Sequence, residues 1–124
     1  MHKFQPQGWR TVIPRIVTPD PKGLVEFLKR VFDAVGEFRT ERPTELKIGD
    51  SIIMVSGNEA RDAMPAFLHV YVQDVDAAYR RAIAADAISL EEPADQPYGD
   101  RRAMVKDSWG NVWQIATHKG QFVP

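Results

Sequence analysis

The fold class this sequence predicts is α+β: two βαβββ modules, at about 10–56 and 66–118, whose curved mixed sheets enclose a cleft. Three observations predict it. The order strand, helix, strand, strand, strand runs through the chain twice, and a repeated order of elements signals internal duplication even where side chains differ. An amphipathic helix stands near the start of each half. The chain then closes on two strands joined by the turn Asp107-Ser108-Trp109-Gly110-Asn111.

In the first half, 11–18 reads as a strand because Val12, Ile13, Ile16 and Val17 are β-branched. Pro14 interrupts it and places it at an edge or a bulge, where a missing N–H is tolerated. Asp20 can cap the free amides of a helix, and Pro21 suits its first position. Leu24, Val25, Phe27, Leu28, Val31, Phe32 and Val35 follow at helical spacing, and Gly36 is a natural stop. Three strands are expected next: 37–42 ended by Pro43, then 45–48 with Leu46 and Ile48 inward, then 51–56. Gly49-Asp50 supplies a two-residue hairpin between the last two. The polar loop 57–65 separates the halves.

The second half opens with a strand at 66–72. Phe67, His69 and Tyr71 share one face; Leu68, Val70 and Val72 share the other. Asp74 can cap a helix at 75–85, with Val75, Ala78, Tyr79 and Ala82 on one side. A strand at 87–91, a proline-containing loop at 92–99 and the closing hairpin complete the order. In that hairpin Ala103-Met104-Val105 pairs with 112–117. Gln114 falls between Val112 and Ala116 on one face, with Trp113, Ile115 and Thr117 on the other. A buried amide needs hydrogen-bond partners, from a neighbour or from a ligand. On a half-wet face it needs none.

Composition narrows the function. The 124 residues suit one domain or two small half-domains sharing a core. Hydrophobic residues make up 44% and charged residues 27%, as in globular proteins. A formal net charge of -1 gives no electrostatic reason to expect nucleic acid or an anionic membrane surface. The lack of cysteine excludes disulfides, thiolate metal sites and a cysteine nucleophile. No apolar run approaches the roughly 20 residues that span a bilayer. The polar first residues, to about Gly8, read as a loose arm without a signal-peptide core, so a cytoplasmic location is expected. Gly-rich phosphate loops, nucleophile elbows and basic–aromatic stripes do not occur.

The paired βαβββ order, the strand Phe67-Leu68-His69-Val70-Tyr71-Val72 running into Asp74-Val75-Asp76-Ala77-Ala78, and the ending Tyr98-Gly99-Asp100-Arg101-Arg102 … Asp107-Ser108-Trp109-Gly110-Asn111-Val112-Trp113-Gln114-Ile115-Ala116-Thr117-His118 together resemble the glyoxalase / bleomycin-resistance / extradiol-dioxygenase superfamily, also called vicinal oxygen chelate. Its PhnB-like branch of small stand-alone proteins is the nearest in appearance. The resemblance implies four metal-ligand positions on the first and last strands of each half. They fall here at Ile13, Met54, His69 and Gln114, with register slippage to Pro14 or Val55 open in the first half. Of these His69 and Gln114 alone are candidate ligands. Zn²⁺, Ni²⁺ and Fe²⁺ sites take imidazole and carboxylate readily and a neutral amide poorly, and a thioether suits Cu(I). The departure argues against a standard metalloenzyme, so no cofactor is expected, with a divalent metal as the less favoured alternative.

Three readings of His69 stand: a core histidine bonded to Gln114 or a tyrosine, a ligand-binding or acid–base group, and a metal ligand. Phe67, Tyr71, Trp109 and Trp113 line a pocket or fill a core. In a regular strand either Arg101 or Arg102 points inward, where an arginine can anchor a carboxylate or phosphate; the commoner place for such an arginine is a solvated rim. His118 is expected at the surface, as is the tail to Pro124. The favoured reading is a metal-independent protein that binds a small organic ligand through His69, Gln114, Met54, Tyr71, Arg102 and Trp113. The alternatives are a metal-dependent lyase, isomerase or dioxygenase, its missing ligand supplied by a partner chain, and a dimeric scaffold without a ligand. A homodimer is expected, since family members commonly cover open edges and cleft walls with a second subunit.

Overall fold

The computed structural model describes residues 4–120. The ends of the expected arm and tail, residues 1–3 and 121–124, lie outside the described residues. The chain forms two compact units, one running to Met64 without Arg30–Phe32, the other comprising Arg30–Phe32 and the chain from Pro65. Each holds a mixed sheet, so the α+β class stands.

In the first unit three strands pair in the order β1-β3-β2: β1 (Arg15–Val17), β2 (Thr44–Ile48) and β3 (Ser51–Ser56). β1 lies parallel to β3, and β2 antiparallel to it. Pro14 sits just before β1, where its carbonyl still accepts from the Met54 amide at 2.9 Å. The strand is therefore shorter than expected, and Ile13 precedes it. Helix α1 (Pro21–Phe32) begins as predicted: Asp20 accepts from the Gly23 amide and Pro21 opens the first turn. Its end differs. Asp33 turns left-handed at φ 57, so the helix stops before Val35, which instead pairs with Lys47 through two backbone bonds. Gly36 serves a close approach: a Cβ there would strike the Glu45 carbonyl.

The expected strand at 37–42 is absent. Thr44 explains this, because its hydroxyl takes the Arg39 amide at 2.9 Å and donates to the Arg39 carbonyl at 3.3 Å. Backbone groups satisfied by a side chain do not join a ladder. The first unit is thus βαββ. Its hairpin turn is the expected one, with Gly49 at φ 59 and Ile48 paired to Ser51.

In the second unit four strands pair in the order β4-β7-β6-β5: β4 (Phe67–Tyr71), β5 (Ile88–Asp95), β6 (Asp100–Lys106) and β7 (Val112–His118). Helix α2 (Val75–Ala84) packs on β5, β6 and β7. Asp74 caps it by accepting from the Ala77 amide, and Thr117 accepts from the Val75 amide. β5 runs further than expected, through Pro93. It is an edge strand with register shifts on both sides of Glu91, and a proline is tolerated at such a bulge.

The Asp107–Asn111 turn is tied by one carboxylate. Asp107, 4% exposed, accepts from the Trp109 and Asn111 amides, the Asn111 side chain and the Trp113 indole, each at 2.9 Å. The Asn111 side-chain oxygen in turn accepts from the Ala66 amide, fixing the entry to β4.

Candidate functional site

Strand alternation gives the second sheet two unlike faces. Ala103, Val105, Trp113 and Ile115 are buried, at 1% exposure or less, on the face that α2 covers. Arg101 belongs to that side. It forks onto Asp76 of α2 at 2.9 and 3.1 Å and reaches Asp95 at 3.3 Å, which holds its guanidinium firmly charged and the Asp76 carboxyl below its ordinary range. The opposite face exposes Phe67, His69 and Tyr71, with Gln114, Met104 and Arg102 half-buried beside them.

The register sets these side chains in rows. His69 lies opposite Gln114, Gln114 opposite Met104, and Met104 opposite Glu91. One row on, Tyr71 lies opposite Ala116, and Ala116 opposite Arg102. The His69 ring nitrogen Nδ1 is 3.3 Å from Gln114 Oε1. The His69 and Tyr71 rings meet edge to face at 4.8 Å. The Tyr71 hydroxyl donates to Asp100 at 2.9 Å, and the other oxygen of that carboxylate is 2.8 Å from His118 Nδ1.

Asp100 is 4% exposed, yet its carboxyl is held below the ordinary range. The His118 hydrogen bond is the largest cause; burial works against it, and Tyr71 adds to the lowering. The same bond keeps Tyr71 protonated, pushing its phenol above the usual value.

Arg102 reaches the Tyr98 hydroxyl at 2.9 Å and Glu91 at 3.2 Å, while its Nε is buried without a partner. Burial pulls the guanidinium toward its neutral form, and Tyr98 and Glu91 outweigh that pull. The two ends of this arginine are therefore matched from within the chain, and its Nε is not.

The expectation that Trp113 lines this face is corrected. The indole is 1% exposed on the helix side, against Phe32 with ring centroids 5.3 Å apart, and its N–H is spent on Asp107. Trp113 and Gln114 are neighbours in one strand and point to opposite faces. Met54 lies in the first unit on the half-exposed face of β3, flanked by Arg15 and Glu45. Sequence reasoning missed Asp100, Glu91 and Tyr98 as members of the His69 face; His118 is exposed as expected, and its bond to Asp100 was not foreseen. The signal for Asp100 was its parity with Arg102 and Met104 along β6; Glu91 depends on a bulge that no spacing reveals.

The donor set suits a metal poorly. Among the described residues no three His, Asp or Glu side chains group as a metal would need. Gln114 offers His69 an amide, and the nearby carboxylates already serve Arg102 and the Tyr71–His118 pair.

An α+β fold whose second sheet carries α2 on one face and leaves the other open and partly aromatic defines the class of protein. The family model described as Glyoxalase/Bleomycin resistance protein/Dioxygenase superfamily matches residues 11–115, and the chain belongs to that superfamily. An uncharacterized protein of Mycobacterium bovis is 27% identical over 120 residues, covering 82% of this chain and 79% of the relative. The crystal structure of TioX from Micromonospora sp. ML1 is similar at a TM-score of 0.75 and 27% identity, over 88% of this chain and 98% of that one. A glyoxalase/bleomycin resistance protein/dioxygenase family enzyme from Burkholderia phytofirmans PsJN shares the fold at a TM-score of 0.73 and 24% identity, over 84% and 94% of the two chains.

Proposed function

We propose that the protein is a metal-independent binder of a small organic molecule, of the PhnB-like kind, and that the ligand lies on the β4–β7–β6 face of the second sheet. One observation carries this reading. Phe67 and Tyr71, both 62% exposed, stand on either side of the hydrogen-bonded His69–Gln114 pair on one strand face. Exposed aromatic area around a few fixed polar groups is the build of a small-molecule site. The donor set supports metal independence, because an imidazole and an amide alone hold Zn²⁺ or Fe²⁺ poorly.

In this reading Phe67 and Tyr71 supply apolar contact, and His69 and Gln114 orient the ligand. Arg102, clamped by Tyr98 and Glu91, holds the floor between β6 and β5.

His69→Ala is expected to weaken binding of an aromatic fragment by about 1–3 kcal/mol, the cost of losing a buried hydrogen bond. Its urea midpoint should stay near wild type, because His69 is exposed. Titration by NMR and equilibrium unfolding measure the two effects. A variant that unfolds, or one that binds unchanged, would return His69 to a structural role. Elemental analysis of protein purified without added salts should find no stoichiometric transition metal; one equivalent bound at His69 would favour the metal-dependent alternative.

A further inference from the structure

Asp100 fixes the direction of every hydrogen bond around it. An ionised carboxylate accepts and does not donate. The Tyr71 hydroxyl proton is therefore committed to Asp100 Oδ2, and the His118 Nδ1 proton to Oδ1. Tyr71 Oη then has only lone pairs to offer anything else. The His69–Gln114 contact acts the same way. Gln114 Oε1 can only accept, so a His69 ring that donates to it carries that proton on Nδ1, and in its neutral form leaves Nε2 bare. Arg102, the cation in the Tyr71 row, spends one N–H of each terminal nitrogen on Tyr98 and Glu91, and the Glu91 carboxylate offsets its charge.

We infer that this face selects ligands that donate hydrogen bonds: a planar molecule carrying N–H or O–H groups, received by Tyr71 Oη and His69 Nε2, in preference to an oxyanion. The inference rests on the binding reading above and adds the polarity of the ligand. It also gives Asp100 and His118 a task. They touch no ligand and act as positioning residues, orienting the Tyr71 hydroxyl so that it accepts. Lys106, exposed on β6 opposite Val112 and thus in the row of Phe67, and the unspent N–H groups of Arg102 are where an anion would compete.

The premise is tested without any ligand. Nitrogen-15 NMR of the neutral histidine rings should find both His69 and His118 protonated on Nδ1. His69 protonated on Nε2 instead would overturn the inference.

Three probes test the selection: indole, its isostere benzofuran, which has no N–H, and benzoate. Indole is expected to bind about three- to tenfold tighter than benzofuran, as one net hydrogen bond allows, and to shift the His69 and Tyr71 resonances. Tyr71→Phe, which keeps the ring and removes the hydroxyl, should erase most of that preference. Asp100→Asn should reduce it too, because an Asn side chain can donate to Tyr71 and release the hydroxyl proton outward. Benzofuran binding as tightly as indole, or benzoate binding more tightly, overturns the donor selection and leaves the binding face standing. Failure of all three probes to shift His69 or Tyr71 overturns the binding face itself.

Discussion

A single carboxylate, Asp107, shows how one side chain can hold a hairpin. It satisfies two backbone amides, an Asn side chain and the Trp113 indole from a nearly buried position. Asp107→Ala leaves four donors unpaired, and buried donors without partners are costly. A loss of about 2–4 kcal/mol is expected in denaturant unfolding; a change below about 0.5 kcal/mol, the range of ordinary surface substitutions, would show that water replaces the carboxylate. Asp100 makes a different prediction. Its carboxyl is more acidic in the folded chain than in the unfolded one. Its contribution to stability is complete above the ordinary carboxylate range, near about 4, and disappears as pH falls through the lowered folded value. Wild-type stability should therefore fall in acid more steeply than that of Asp100→Asn, with the Asp76–Arg101 pair contributing equally to both curves. Parallel acid curves for the two proteins would remove Asp100 from that role.

Among the elements, the helices obeyed local chemistry at their starts and tertiary demands at their ends. Asp20 and Asp74 each cap the amide three residues on, as their positions foretold. The end of α1 was misread because the apolar spacing continues to Val35, while the backbone turns left-handed at Asp33 so that Val35 can pair with Lys47. A non-glycine residue in that region is strained. Asp33→Gly should therefore stabilise the protein by up to about 1 kcal/mol in urea unfolding; a destabilised variant would mean that the Asp33 side chain makes a contact outweighing its strain. The strand expected at 37–42 failed for a related reason. Thr44, distant by only five residues, offered Arg39 a nearer partner than any strand.

For the whole molecule, the two units repeat one order of elements unequally: βαββ with three strands in the first, βαβββ with four in the second. The longer sheet ends on β5, an edge strand with Ile88 63% and Leu90 46% exposed. Unpaired edges of this kind invite association, which supports the expected homodimer. Light scattering at micromolar concentration should give twice the mass of the chain. A monomer there would mean that the edge is left open in solution, and lysine substitution of Leu90 should shift a true dimer toward monomer.

The sequence by itself determined the α+β class, both helix starts, the Gly49-Asp50 turn, the closing hairpin and the face that His69 shares with Phe67 and Tyr71. These follow from short-range rules: alternation, capping and turn chemistry act over two to five residues. Tertiary structure decided the rest. Strand order sets His69 beside Gln114, separated by 45 residues, and brings Asp100 between Tyr71 and His118. It also decided that Trp113, an aromatic as suited to a pocket as to a core, goes to the core, because its alternation in β7 is opposite to that of Gln114. Periodicity tells which residues share a face. Pairing between distant strands decides which of them meet, and its free energy comes from burial and hydrogen bonds that no local window contains.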